Sequence, residues 1–89
     1  SDDPRNAEVL LRLGLARALD GDDSGAEAAW LDAERLAPSS AAASVNLATL
    51  YEREGRTVDA RAAARRALRR DPGNTVAAEI LDGTREPDR

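Results

Sequence analysis

Cysteine, histidine, methionine, phenylalanine and lysine are all absent from this chain, so that every one of its 13 basic residues is an arginine. Without Cys there is no disulfide and no thiolate nucleophile. Without His there is no imidazole base, and with Cys and His both absent the usual soft metal ligands are gone. The redox compartment leaves no mark on such a sequence. Aromatics are nearly absent too, with only Trp30 and Tyr51, too few for stacking on nucleic-acid bases. No apolar run is long enough to cross a bilayer, and Ser1-Asp2-Asp3-Pro4 is neither basic nor hydrophobic in the manner of a targeting segment.

What remains is an 89-residue chain of formal charge −4, 42% apolar, with most of the apolar residues being Ala. A chain of this length makes one small domain, and a single compact core at this size is marginal. Its core must therefore come from helices packed closely on small side chains, and Ala favours helix above every other residue. The arginine-only basic set is the mark of a GC-rich bacterial genome. The compartment is not fixed by the residues; a soluble, cytoplasmic setting without membrane insertion is favoured.

Self-similarity organises the rest. Pro4, Pro38 and Pro72 are spaced by 34 residues, and so are Leu13, Leu47 and Leu81. The same interval pairs Ala7 with Ala41, Gly21 with Gly55, Ala26 with Ala60, Ala28 with Ala62, Ala29 with Ala63, Ala33 with Ala67 and Arg35 with Arg69. Matched Ala is cheap in this composition, whereas matched Gly and Pro punctuate structure and carry the weight.

Each unit reads as two helices. Asn6, Ser40 and Asn74 stand where a short polar side chain caps a helix start. Gly21 and Gly55 close the first helices in the left-handed conformation, and Pro38 and Pro72 stop the second ones. Asp23 or Ser24, with Glu27 in capping-box spacing, and Thr57 open the second helices. The expected helices are 7–20, 24–36, 41–54, 58–70 and 75–84. The expected organisation is a first unit at 7–40, a second at 41–74 and a capping helix at 75–86 with Ala78 and Leu81 inward. Asp3-Pro4-Arg5-Asn6 mimics Asp71-Pro72-Gly73-Asn74, the tail of a unit whose body is missing, so the chain reads as cut from a longer protein.

The spacing Leu10, Leu13-Gly14, Gly21, Ala26, Trp30, Ala33 and Pro38, followed by Leu47-Ala48, Tyr51, Gly55, Ala60, Ala67 and Pro72, resembles the tetratricopeptide repeat family. Arg17 and Ala64 stand where that family's pattern has aromatics, and Ser44 where it has a large apolar residue, so thinner packing is expected there. The resemblance implies an all-α, right-handed α-solenoid of helix-turn-helix repeats with about five helices. It also implies that the first helix of each unit lines a concave groove that holds a peptide or partner protein, with no cofactor and no catalysis.

On the first helix, Val9, Leu10, Leu13 and Gly14 share a face expected to pack on Trp30, while Leu11, Leu15 and Leu19 recur on roughly the opposite one. The expected partner-binding residues of the groove are Leu11, Arg12, Leu15, Leu19, Val45, Asn46, Thr49, Arg53, Val76 and Ile80. Asn46 is the sharpest of these, because its amide donates and accepts at once and so suits a peptide backbone; Asn at that place contacts ligand in members that the chain resembles. The carboxylate-gripping use of the family needs a basic and amide cluster, but Leu11, Leu15, Val76 and Ile80 occupy the matching positions. The same leucines also suit self-assembly as a homo-oligomer, or docking against another part of a larger protein.

The densest charge run is Arg61, Arg65, Arg66, Arg69 and Arg70. It reads as a solvated outer face, the alternative being a surface for an acidic partner or for a second copy offering Asp20, Asp22 and Asp23. Nucleic acid is disfavoured by the net acidity. The 17 carboxylates are scattered, no Ser or Thr has a candidate base, and no Gly-rich phosphate loop appears, so no enzyme is expected.

Overall fold

The computed structural model describes residues 4–83, which form five helices: α1 Pro4–Leu19, α2 Asp23–Leu36, α3 Ala42–Arg53, α4 Thr57–Arg70 and α5 Thr75–Asp82. Each helix packs against the next, and α3 also touches α5. Among the described residues there is no strand, and no helix is long and apolar enough to cross a membrane. The architecture is that of an all-α helical repeat, two hairpins and one additional helix. Residues 84–86, the expected end of the capping helix, lie outside the described residues.

The turns follow the glycines. Gly21 and Gly55 take positive φ of 83° and 76°, the region where a residue with a Cβ is strained, and so close α1 and α3 at equivalent places. The caps are less regular than the sequence pattern. Asn74 caps α5 as expected, accepting from the Ala77 N–H at 2.9 Å. Ser40 Oγ accepts from the Ala42 N–H at 3.2 Å beside the start of α3. Asn6 is no cap, because α1 already starts at Pro4, a residue whose missing N–H and fixed φ suit the first helical position. On α2 the cap is Asp22 rather than Asp23 or Ser24, and its carboxylate accepts from the Gly25 N–H at 3.0 Å. Glu27 is thereby released from capping to bond elsewhere.

The core runs through the hairpins as one cluster that includes Ala26, Trp30, Leu47, Ala48, Leu50, Tyr51, Ala60, Ala63, Ala64, Ala67, Ala77 and Ile80. Ser44 and Ala64, the expected weak points, have no exposed surface at all. The Ser44 hydroxyl solves its burial by donating to the Ala41 carbonyl at 3.0 Å. On α5 the inward residues are Ala77 and Ile80, one position ahead of Ala78 and Leu81, which are half-buried.

Trp30 sets the phase of α1. Its Nε1–H donates to the Leu11 carbonyl at 3.0 Å, and a Cβ placed on Gly14 would lie 2.6 Å from ring carbons Cδ1 and Cε2. The indole lies against bare backbone, so Gly14 and the neighbours that share its face at helical spacing point inward. Ala7 and Gly14 are buried, and Leu11 and Ala18 are half-buried against the cluster. The expected inward stripe of Val9, Leu10 and Leu13 is therefore displaced. Leu10 is half-buried, and Val9 and Leu13 are exposed.

Gly14→Ala should destabilise the chain by about 1 to 3 kcal/mol through overpacking, although Ala outscores Gly in a helix by about 1 kcal/mol. Trp30→Ala should cost about 3 to 5 kcal/mol. Urea unfolding followed by circular dichroism reads both; a Gly14→Ala chain more stable than the parent would refute the contact.

Candidate functional site

The positions proposed for the groove divide into those held by the fold and those open to a partner. Leu11, Arg12, Leu15 and Leu19 of α1 stand 34 residues ahead of Val45, Asn46, Thr49 and Arg53 of α3, so the two sets occupy equivalent places on successive first helices. Leu15 and Leu19 are 54% and 80% exposed. Leu11 is half-buried, its carbonyl occupied by Trp30. Arg12 is exposed and bridges to Glu8 at 2.9 Å, one helical turn back.

On α3, Thr49 turns its hydroxyl back to donate to the Val45 carbonyl at 3.0 Å. Arg53 reaches Asp23 of α2 at 2.6 Å, spanning from the end of one hairpin's first helix to the start of the preceding second helix. Val45 and Asn46 line an open recess of roughly 410 Å³ together with Ala41, Ala42, Asp71 and Asn74. Asn46 is half-buried there, and its side-chain amide makes no hydrogen bond among the described residues. Asn74 is already committed, capping α5 through its oxygen and donating to Asp71 at 3.3 Å.

Ile80 departs from its expected place. It is buried, 6% exposed, in the common core, where it also floors a second recess of roughly 380 Å³ between the ends of α3, α4 and α5. The reason is the brevity of α5: an eight-residue helix has few apolar positions, and Ile80 is its largest buried one, so the common core of the preceding helices claims it. Val76 is half-buried against the same core. The recess around Asn46 also includes Asp71, Ala41 and Ala42, none of which the sequence pattern places in the groove: Ala41 and Asp71 stand out only as recurring repeat and connector residues, and Ala42 gives no pattern of its own.

Two charged networks span the two hairpins beside this wall. In the first, the Tyr51 hydroxyl donates to Glu27 at 2.8 Å, Arg56 bridges Glu27, Glu54 and Asp59 at 3.0 to 3.3 Å, and its guanidinium lies 4.4 Å over the Tyr51 ring. Burial, then the hydrogen bond to Glu27, pushes the Tyr51 phenol up to about 12. The Glu27 hydrogen bond likewise raises Arg56 above its already high value.

In the second, Glu34 of α2 receives Arg66 at 2.7 Å and Arg70 at 2.5 Å from α4, and Arg70 also donates to Ser44 of α3 at 3.3 Å. Burial pushes the Glu34 carboxyl up, but the hydrogen bonds from the two guanidinium groups outweigh it and hold the carboxyl below the ordinary carboxylate range. The arginine run is thus not a plain solvated face. Arg66 and Arg70 tie the hairpins together, Arg61 donates to the Leu81 carbonyl at 2.7 Å, and Arg65 and Arg69 face solvent. On the acidic side, Asp22 is used as a cap and Asp23 as the partner of Arg53.

Among the described residues, no group of carboxylates is arranged to hold a metal ion. What these positions present is two exposed leucines, an amide unbonded among the described residues and a shallow concavity.

The networks predict opposite pH limbs. Tyr51 is the only tyrosine in a chain without Lys or Cys, so it is the one side chain whose ordinary value lies between pH 8 and 12. Its raised value means a stabilising contribution complete below about pH 10 and lost as pH rises through about 12. Tyrosinate absorbance should show its midpoint near 12 in the folded chain and about 10 in urea; equal midpoints would refute the Glu27 bond. Glu34, held low, contributes stability above about pH 4.3 that fades as pH falls through its folded value. Glu34→Gln should cost about 1 to 3 kcal/mol at pH 7 and flatten the acid limb in urea melts taken across that range.

No significant match is found among curated proteins. The family model of the tetratricopeptide repeat matches residues 1–41 and 24–75, spanning both hairpins and their connectors. With the 34-residue period, the paired helices and the glycine-closed turns already in place, the chain belongs to the tetratricopeptide repeat family.

Proposed function

We propose that this chain, from a family whose repeats generally mediate protein–protein interaction, is a docking module that holds a peptide segment of a partner protein along the first helices, over Leu15, Leu19, Val45 and Asn46, without catalysis. The observation that carries the reading is Asn46: a half-buried amide, unbonded among the described residues, at the edge of an open recess. A side chain that both donates and accepts matches the backbone of an extended segment, and burial strengthens each bond it makes.

Apolar anchorage complements it. Leu15 and Leu19 expose two large side chains one turn apart, a row that an apolar side chain of a ligand covers with gain. Asp71 adds a carboxylate on the rim of the recess, so a ligand bearing a basic residue near its Asn46-bound segment is favoured over an acidic one. The acidic net charge of the chain points the same way.

A displayed peptide library selected on residues 1–89 supplies the ligand. Leu15→Glu should weaken the selected peptide at least about tenfold and Asn46→Ala about three- to tenfold, the scale of one lost apolar anchor and one or two hydrogen bonds. Both positions leave the core untouched, so circular dichroism should be unchanged. Full affinity in both variants would place the binding surface elsewhere.

A further inference from the structure

The two junctions between a second helix and the first helix that follows it differ in how far the incoming helix runs. α3 has 12 residues and ends at Arg53, whereas α5 has eight and stops at Asp82, the place equivalent to Ala48, with Gly83 closing it at a φ of 73°. The last turn of α3 carries Tyr51, which is buried, with its hydroxyl donating to Glu27 of α2 and its ring beneath the Arg56 guanidinium. At the second junction Ala60 and Arg61 of α4 stand 34 residues after Ala26 and Glu27, and Gly83 ends α5 before the place of Tyr51 is reached. The second recess, of roughly 380 Å³, opens there. Ile80 and Ala60, 6% and 2% exposed, give it an apolar floor, and Thr57, Glu52 and Arg61 add polar groups to its lining.

We propose that this recess is a binding site for the phenol side chain of a tyrosine presented by another molecule. Its volume lies at the low end for ligand pockets, about 300 to 1,000 Å³, enough for one side chain rather than a length of peptide. An aliphatic floor below polar groups suits a ring with an apolar body and a polar tip. The polar groups then select among rings. Arg61 gives one N–H to the Leu81 carbonyl at 2.7 Å, and a guanidinium carries several more. A carboxylate likewise accepts more than one bond. A phenol oxygen accepts from Arg61 while its hydrogen goes to Glu52, so phenol, carboxylate and guanidinium meet here as they do in Tyr51, Glu27 and Arg56.

The alternatives fit less well. A phenylalanine ring covers the floor but leaves both polar groups without the bond. An anionic group gains from Arg61 and is opposed by the like charge of Glu52. The ring comes from outside the chain, because Tyr51 is its only tyrosine and is already buried. The residue 34 positions after Tyr51 is Arg85, which carries the same charge as Arg61.

The test titrates N-acetyl-tyrosine amide into isotope-labelled residues 1–89 and follows the backbone amides by nuclear magnetic resonance. Those of Thr57, Ala60, Arg61, Ile80 and Gly83 should shift together, with a Kd on the order of millimolar for so small a ligand. N-acetyl-phenylalanine amide should bind at least about threefold more weakly. Glu52→Gln and Arg61→Gln should each weaken the tyrosine probe about three- to tenfold. Glu52→Gln conserves size and leaves the Leu81 bond in place, so it decides the matter even where Arg61→Gln loosens the end of α5. Equal affinity for the two amides overturns the proposal, as does the absence of shifts at these positions up to about 20 mM probe. A gain of about tenfold on Arg85→Ala also overturns it, since that result assigns the recess to the chain's own end.

Discussion

The indole of Trp30 lying on the bare backbone of Gly14 is the contact on which the rest of the structure depends. It is the one place where a large ring enters the first hairpin, and it fixes two variables together: the separation of α1 and α2, and the rotation of α1 about its own axis. With that rotation set, Leu11 turns toward the core, Leu15 and Leu19 remain open, and Val9 and Leu13 stay exposed with Leu10 half-buried beside them. Every surface available for binding on α1 is a consequence of where Trp30 lies.

Beyond Trp30 the core is largely alanine, which allows close approach but specifies angle weakly, because a methyl group slides over another with little penalty. The polar ties make up that deficit. Glu34 with Arg66, Arg70 and Ser44 joins α2, α3 and α4 at one end, and Glu27 with Tyr51, Arg56 and Asp59 joins the same three helices at the other. Partly buried ion pairs contribute less to net stability than their geometry suggests, since desolvation offsets much of the attraction. Their directional bonds still select one inter-hairpin angle among the several that an alanine surface tolerates, and that angle shapes the recess around Asn46.

The period, the five helices and the turns are legible in the sequence because glycine and proline act locally, and their recurrence every 34 residues is the mark of stacked helical hairpins. Helix rotation is less legible: the wheel of α1 carries leucines almost all round, so its inward face is decided by a residue on another helix. The cap at Asp22 is obscured for the same reason, since Asp22, Asp23 and Ser24 are chemically interchangeable there and only the turn after Gly21 distinguishes them. The cross-ties leave no trace because their partners lie 24 to 36 residues apart, a range in which charge alone carries no periodic sign. Asn46 stands out by its chemistry. The register of Ile80 misleads, because equivalence to Asn46 implies an open position that so short a helix has to bury.

Composition places a final constraint on how the proposed groove would recognise a partner. With no His, Cys or Lys, the side chains here ordinarily titrate below about pH 5 or above about 10, and the lone phenol is displaced further from neutrality by burial and Glu27. Side-chain protonation therefore gives the proposed groove no switch across the physiological range. A pH dependence of binding between about 6 and 9 would then originate outside the side chains of the proposed groove, which are leucines, one amide and one carboxylate. Selectivity in the proposed groove would then come from the fixed charge of Asp71, from shape and from the angle between the hairpins, which the Glu34 and Arg56 networks span.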